Sequence, residues 1–412
     1  MNVTITNTTL LNAGDAAIAA GTLEILRRAF GPDIAVTLRD SQAEAVAGQF
    51  PDYRCLPVFH VEVRNWTGRR WAKFGYAALL LAAALWRTPL RRLALMLLPW
   101  RLRLSLRSFA ESDLLLSAGG TYLVPHYRCE PKLLELLVAR LAGRPYVLFT
   151  QSLGPFAESG RLMRIALKGA SAIFVRDARS FRHLRTLGIA ESRIHECADA
   201  AFAMRTPALL RVSRPLERWI GISVRDWPHF SADSTDGMAR YLAALTELVE
   251  HLVQTHDAHI VFISTCQGAS DYWTDDSRIA DSLVGRISDR VAARVSVDRA
   301  FRRPEDLRRE LGRFDLFVAT RMHAAILALQ AGVPVLPIAY EFKTVELFDR
   351  IGMGALVQPI ETISGFGLCR TADRMLRNNG AFRRRVAERI RPLQVSAFSA
   401  AVHLARIAAF TR

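Results

Sequence analysis

Cysteine is scarce and scattered. Cys55, Cys129, Cys197, Cys266 and Cys369 are the five in 412 residues, and no two form a C-x-x-C pair. That excludes a disulfide frame and a cysteine zinc site and fits thiols kept reduced in a cytoplasm. The chain also lacks a run of roughly 20 apolar residues, the length needed to cross a bilayer. Neither G-x-G-x-x-G after the first strand nor G-x-x-x-x-G-K-[ST] occurs, so dinucleotide and P-loop fingerprints are missing. The opening MNVTITNTTLLNAGD has no charged n-region and no long apolar core, so it does not read as a secretory leader. No short-period repeat or low-complexity tract is present.

Acidic residues are absent from Val63 to Ala110, a stretch that carries Arg64, Arg69, Arg70, Lys73, Arg87, Arg91, Arg92, Arg101, Arg103 and Arg107. It accounts for much of a formal net charge of +16. Two apolar runs, Gly75 to Trp86 and Leu93 to Trp100, are interleaved with these cations. Leu- and Trp-rich helices flanked by arginine suit the headgroup layer of an anionic membrane. The other reading is a buried helical hairpin with solvated arginines. An RNA-binding signature is missing, and nucleic acid is not expected as a partner.

The rest has an ordinary globular composition, 50% hydrophobic and 23% charged, in a chain long enough for two domains. Short apolar runs alternate with helix-period segments, the pattern of α/β architecture. VTITN, DIAVTL, DLLLSAG, YVLFTQ and AIFVRD read as strands in the first half. WIGISVR, HIVFIST, RVSVD, LFVAT and VPVLPIAY do so in the second. The expected division is a Rossmann-like domain over 1–205 with a basic apolar insertion at 63–110, a second Rossmann-like domain over 216–380, and a basic helical tail over 381–412. The polar, proline-marked stretch after Thr206 is the expected linker. Two such domains facing a cleft are the simplest arrangement.

Ligands of open α/β sheets bind beyond the carboxyl ends of the strands, beside helix amino termini. Polar residues at those places are the candidates. Asn12 to Asp15 follow the first strand, where a plain helix cap is the competing role. Ser117 to Tyr122 hold paired glycines that permit close backbone approach. Gln151 lies in the turn after YVLF. Arg176 and Arg225 end two similar strands, FVRD and SVRD, where arginine suits bidentate grip on carboxylate or phosphate or a structural pair with aspartate. The fullest constellation is Thr320-Arg321-Met322-His323, followed by a short helix, a Gly332 cap and a strand leading to Glu341 and Lys343. Two cations, an imidazole and a helix dipole converge there, as a small anion requires. By contrast, His251, His256 and His259 are loosely spaced and no metal site is expected of them. The acidic group Asp271, Asp275 and Asp276 reads as a helix opening.

The order N-x-G-D, L-S-A-G-G, T-Q-S-L-G-P, F-V-R-D-x-x-S, A-T-R-M-H-A-A-I-L-A-L-x-A-G-V-P and Y-E-x-K resembles the polysaccharide pyruvyl transferase family, from about Asn12 to about Gly352. The resemblance implies a GT-B-like fold and transfer of the enolpyruvyl group of phosphoenolpyruvate to a sugar, giving a pyruvate ketal and phosphate. The acceptor would be a cell-surface saccharide or its lipid-linked precursor, met in the cytoplasm or at the inner membrane face. By the same resemblance Arg225, Arg321, His323 and Lys343, with Glu341, fall on the donor and catalytic features. Asn12, Asp15 and Arg176 fall on the acceptor side or the cleft floor, and Gln151 is expected among the substrate-binding residues. Phosphoenolpyruvate is the donor substrate, and the scheme requires no further cofactor or metal. A nucleotide-sugar glycosyltransferase on the same fold, and a non-catalytic membrane-surface protein on an inactive scaffold, are the competing readings.

Overall fold

A computed structural model describes residues 1–125, 127–156, 160–205, 217–230, 234–266 and 275–410. The expected linker core, 206–216, and Asp271, Tyr272 and Trp273 lie outside the described residues. The chain forms two compact units. Unit 1 comprises 1–10, 18–203 and 395–412, and unit 2 comprises 11–17 and 204–394.

Unit 1 is built on β1 (Asn2–Thr8), β2 (Ala35–Asp40), β3 (Cys55–Pro57), β4 (Leu114–Ser117), β5 (Gly120–Leu123), β6 (Tyr146–Leu153), β7 (Ala172–Val175) and β8 (Ile194–Glu196). The order is β3-β2-β1-β4-β6-β7-β8, with β5 pairing β6 off this path, and the pairings are parallel. Continuous apolar runs such as Leu114–Ser117 and Ala172–Val175 are buried at every position, as strands covered by helices on both faces must be.

Unit 2 repeats the plan with β9 (Trp219–Ser223), β10 (His259–Ile263), β11 (Val295–Asp298), β12 (Leu316–Ala319), β13 (Val335–Ala339) and β14 (Gln358–Pro359). These run parallel in the order β11-β10-β9-β12-β13-β14. The strand order therefore reverses between β9 and β12. A crevice at such a switch point is where open α/β sheets take ligands. The helix Met322–Gln330 ends as the sequence implies, with Gly332 at φ 74° reversing the chain.

Two boundaries differ from the expected ones. Leu11–Ala17 packs with unit 2, although the residues on either side belong to unit 1. The reason is local bonding: Ala13 N–H donates to Thr265 O at 3.0 Å, and Asn12 forms a bridge with Cys266. The tail is one helix, Asn379–Phe410, whose first part belongs to unit 2 and whose last part belongs to unit 1. In unit 2 the Asn379 amide donates to Asp315 O at 2.6 Å. In unit 1 Ser396 accepts from Ala198 N–H at 3.0 Å.

The basic insertion forms the helices Phe59–Thr67, Ala72–Ala84, Arg91–Met96 and Trp100–Ala110. Their inner positions, among them Val63, Leu79, Trp86, Leu102 and Leu106, join the core of unit 1. A buried charge network pins them to the sheet. Arg39 of β2, 1% exposed, pairs with Glu62 at 2.8 Å and Glu135 at 3.2 Å and donates to Ser105 at 2.8 Å.

Candidate functional site

At the switch point of unit 2, Arg225 follows β9 and Arg321 follows β12. Serine and threonine hold the two strand ends together: Arg321 N–H reaches Ser223 Oγ at 3.4 Å, and Thr320 N–H donates to Ser223 O at 3.2 Å. The buried Tyr241 hydroxyl bonds Thr320 Oγ1 at 2.8 Å and accepts the Arg225 backbone N–H. Both arginine backbones are thus held by polar contacts to the buried Ser223 and Tyr241, which leaves the guanidinium groups as the variable part.

Arg321 sits at the N-cap of the helix Met322–Gln330. Its guanidinium grips the Asp276 carboxylate through Nε and Nη2. Asp276 is 1% exposed. Burial pulls the guanidinium down, but Asp276 beside it outweighs burial and holds it well above its ordinary value, so Arg321 is charged at every working pH. Asp276 also accepts from Cys266 N–H at 3.3 Å and Thr265 Oγ1 at 3.4 Å. The helix cap that the acidic group predicts is Asp275, which accepts from Ser277 N–H at 2.9 Å. Asp276, one residue on, has the different task of orienting Arg321. Burial pushes the Cys266 thiol up to about 12, which excludes it as a nucleophile.

Arg225 lies among aromatic rings. Its guanidinium carbon is 4.4 Å from the Tyr340 ring centroid and 5.2 Å from that of Trp227, and it donates to the Tyr340 hydroxyl. The Trp227 and Tyr340 rings lie 4.5 Å apart. Lys343 reaches the same tyrosine ring at 5.4 Å and pairs with Glu341 at 2.5 Å. Glu341 is the N-cap of the helix Phe342–Arg350, which places Lys343 in its first turn. Such cation–π contacts keep a guanidinium oriented without neutralising its charge.

His323 is the second residue of its helix and half-buried. The first turn of the helix Ala13–Phe30 lies against it, at Gly14. Asn12 opens that helix and accepts from Gly14 N–H at 2.8 Å and Asp15 N–H at 3.4 Å. Asn12 thus has the capping role that competes with a ligand role, and the cap sets Gly14 beside the imidazole. Asp15 is close enough to raise the Cys266 thiol electrostatically, as are Arg321 and Arg225 to lower it. Asn12 and Asp15 therefore group with the unit 2 residues, not with Arg176 and Gln151.

Those two lie in unit 1 and are engaged by the polypeptide. Arg176, 8% exposed, pairs with Asp199 and donates to Ser152 Oγ at 2.8 Å and Thr121 Oγ1 at 2.7 Å. The structural partner is Asp199 rather than the adjacent Asp177, which caps the helix Ala178–Thr186. Gln151 is fully buried, and its amide donates to Ala118 O and to the Tyr122 hydroxyl at 2.7 Å. A cavity of about 500 Å³ opens near the ends of β5 and β6, lined by Leu123, Tyr127, Cys129, Pro155 and Leu162 among others. Its lining is mostly apolar, with Arg161 and Glu130 as its charged members.

One further group could be read as metal ligands: His251, His256 and Asp373 hold donor atoms within 4.8 Å of one another. Hydrogen bonds explain it. Both Nε2 atoms reach Asp373 Oδ1, at 2.9 and 2.7 Å, while His256 Nδ1 faces Arg218 Nη1 at 2.5 Å. Because a guanidinium only donates, Nδ1 is the acceptor and Nε2 carries the proton given to Asp373. That tautomer leaves no lone pair on Nε2 for a metal.

Residues 12–341 match the polysaccharide pyruvyl transferase family, and the chain belongs to that family. A curated relative, the amylovoran biosynthesis protein AmsJ of Erwinia amylovora, is 24% identical over 296 residues, 68% of this chain and 69% of its own. Among solved structures, the UDP-GlcNAc 2-epimerase of Neisseria meningitidis bound to UDP-GlcNAc superposes with a TM-score of 0.60 at 10% identity, over 98% of this chain and 99% of that one. HepE of Anabaena in complex with UDP gives a TM-score of 0.57 at 11% identity, over 100% of both chains. At such identities the likeness is one of fold, and the fold is of the GT-B type with two Rossmann-like units.

Proposed function

We propose that the chain transfers the pyruvyl group of phosphoenolpyruvate to a sugar of a cell-surface polysaccharide or its lipid-linked precursor. The donor would lie at the β9/β12 switch point of unit 2. The observation that carries this reading is the placing of Arg225 and Arg321 just beyond the two strand ends flanking that point, with Lys343 in the first turn of the helix after the next strand and His323 in the first turn of its own. Phosphoenolpyruvate bears a carboxylate and a phosphate, which call for several fixed cations and N–H dipoles. Family membership supports the transferred group, and the naming of the Erwinia relative for amylovoran biosynthesis supports a polysaccharide acceptor.

The chemistry balances without a redox partner. A proton is delivered to the methylene carbon of the enol, a sugar hydroxyl oxygen bonds to the adjacent carbon, and that hydroxyl gives up its proton. The carbon–oxygen bond to phosphate then breaks with the electron pair leaving on phosphate. A second hydroxyl closes the ketal and loses its proton. His323 serves as the acid and base that moves these protons. Arg321, fixed by Asp276, and Arg225, fixed by Tyr340, hold the anion and stabilise the departing phosphate.

The test is phosphate release from phosphoenolpyruvate that depends on a candidate glycan, with a product heavier by pyruvic acid less one water. His323→Ala is expected to lower the rate on the order of 10²- to 10⁴-fold, as for loss of a general acid–base group. Transfer of a hexose from a nucleotide sugar, with none from phosphoenolpyruvate, would overturn the proposal.

A further inference from the structure

The insertion in unit 1 has an outer face as distinctive as its buried one. Among the described residues, nine of the fifteen large hydrophobic side chains that stand exposed lie between Trp71 and Leu104. Met96 is 71% exposed, Trp71 67%, Leu93 64% and Trp100 61%. On the helix Ala72–Ala84 the outward positions Phe74, Ala77, Leu81 and Ala84, with Trp71 just before it, follow a helical spacing and form one stripe. The stripe is continued by the helix Arg91–Met96, which packs beside it. Isolated exposed apolar residues need no explanation, but a concentration of this kind marks an interaction surface.

The charge on this face selects the partner. Arg69, Arg70, Lys73, Arg87, Arg91, Arg92, Arg101 and Arg103 are all exposed, and no acidic residue occurs between Val63 and Ala110; Arg107, at the end of the insertion, pairs with Glu111 at 2.9 Å. A face of one sign with large apolar side chains between the cations would repel a second copy of itself. It complements a surface that is negative on the outside and apolar just beneath, which describes an anionic lipid leaflet. No helix is long and apolar enough to cross a membrane among the described residues. Burial of the inner face also prevents the helices from turning their outer residues inward: Glu62 and Ser105, at either end of the insertion, are both bonded to the buried Arg39.

We infer that the outer face of residues 71–107 is a peripheral docking surface for anionic phospholipid bilayers, with Trp71, Phe74, Leu93, Met96 and Trp100 entering the boundary between headgroups and acyl chains. The surface belongs to unit 1 and the residues proposed for catalysis belong to unit 2, so substitutions in one leave the side chains of the other unchanged and the two tests are independent. The full chain should float with phosphatidylcholine vesicles containing phosphatidylglycerol at low ionic strength. It should be released at high salt and should not float with pure phosphatidylcholine. Arg91→Gln with Arg92→Gln should weaken binding roughly thirtyfold, at about fivefold per cation near the surface. Leu93→Ser with Met96→Ser should also weaken it, while circular dichroism and phosphate release from phosphoenolpyruvate in the presence of a soluble acceptor stay unchanged. Absence of flotation at low salt, or flotation indifferent to both pairs of substitutions, would overturn the inference. So would self-association abolished by Leu93→Ser with Met96→Ser in a chain that binds no vesicle, since the face would then join two copies.

Discussion

Gly14 leaves the space into which His323 packs: a Cβ at position 14 would lie 2.6 Å from the imidazole Nδ1 and 2.7 Å from the histidine Cβ and Cγ. Two effects of Gly14→Ala oppose each other. Alanine in a helix is favoured over glycine by about 1 kcal/mol. The overlap involves the root of the histidine side chain, not a flexible tip, and overpacking of this kind costs about 1–3 kcal/mol. The overlap wins. The expected outcome is a protein of equal or slightly lower stability whose phosphate-release rate falls on the order of 10²-fold, because the imidazole is displaced by a sizeable fraction of an ångström. Thermal unfolding and kinetics on the same preparation check both parts.

Asp276 and Arg321 form the second relationship open to direct test. Removing one partner of a buried ion pair leaves a stranded charge and costs about 3–5 kcal/mol. Asp276→Asn should therefore lower the unfolding free energy by about 3 kcal/mol. The double variant Asp276→Asn/Arg321→Met should lose less than the two single losses added, with a coupling of about 1–3 kcal/mol. Urea titrations of the four proteins measure it. Strict additivity would mean that the pair does not act as a unit.

Tyr340 separates two ways of holding Arg225. Tyr340→Phe keeps the ring beneath the guanidinium and removes the hydroxyl that accepts from it, whereas Tyr340→Leu removes both. A hydrogen bond to a charged group contributes about 1.5–3 kcal/mol. Tyr340→Phe should raise KM for phosphoenolpyruvate on the order of tenfold with kcat little changed. Tyr340→Leu should raise it further. A fall in kcat alone, with KM unmoved, would assign Tyr340 to the chemical step instead.

The regular elements were legible because their signals are local. Alternation and helical periodicity locate β1, β9, β12 and the helix Met322–Gln330, and Gly188 and Gly332 stand at positive φ where their helices end. The switch-point arginines and His323 follow from reading polar residues at strand exits. The second layer of the site is not local. Asp276 meets Arg321 from 45 positions away in the chain, and nothing in the run Asp275-Asp276 distinguishes the cap from the ion-pair partner. Tyr340 reads as the end of a β-strand, and only the side-by-side placing of β9, β12 and β13 brings it over Arg225. Strands β3, β8 and β14, of three, three and two residues, are too short to show a period. The insertion was readable in two ways because the same helices carry a buried apolar face and an exposed face of apolar and basic side chains.

Asp373 supplies a prediction of pH dependence. Burial alone would raise its carboxyl, but the hydrogen bonds from His256 and His251 outweigh burial and hold it below the usual carboxylate value. A carboxylate depressed in the folded state contributes stability that is present above its unfolded pKa and is lost as pH falls through the folded one. The window therefore lies below pH about 4. Asp373→Asn should be less stable than the parent at neutral pH by up to about 1 kcal/mol, the range for partly exposed pairs. The difference should persist down to about pH 4 and close below it, as the parent carboxylate takes up its proton. Urea midpoints of the two proteins across the acid range give this directly. A gap that widened on acidification would show that the histidines, not the carboxylate, dominate the cluster.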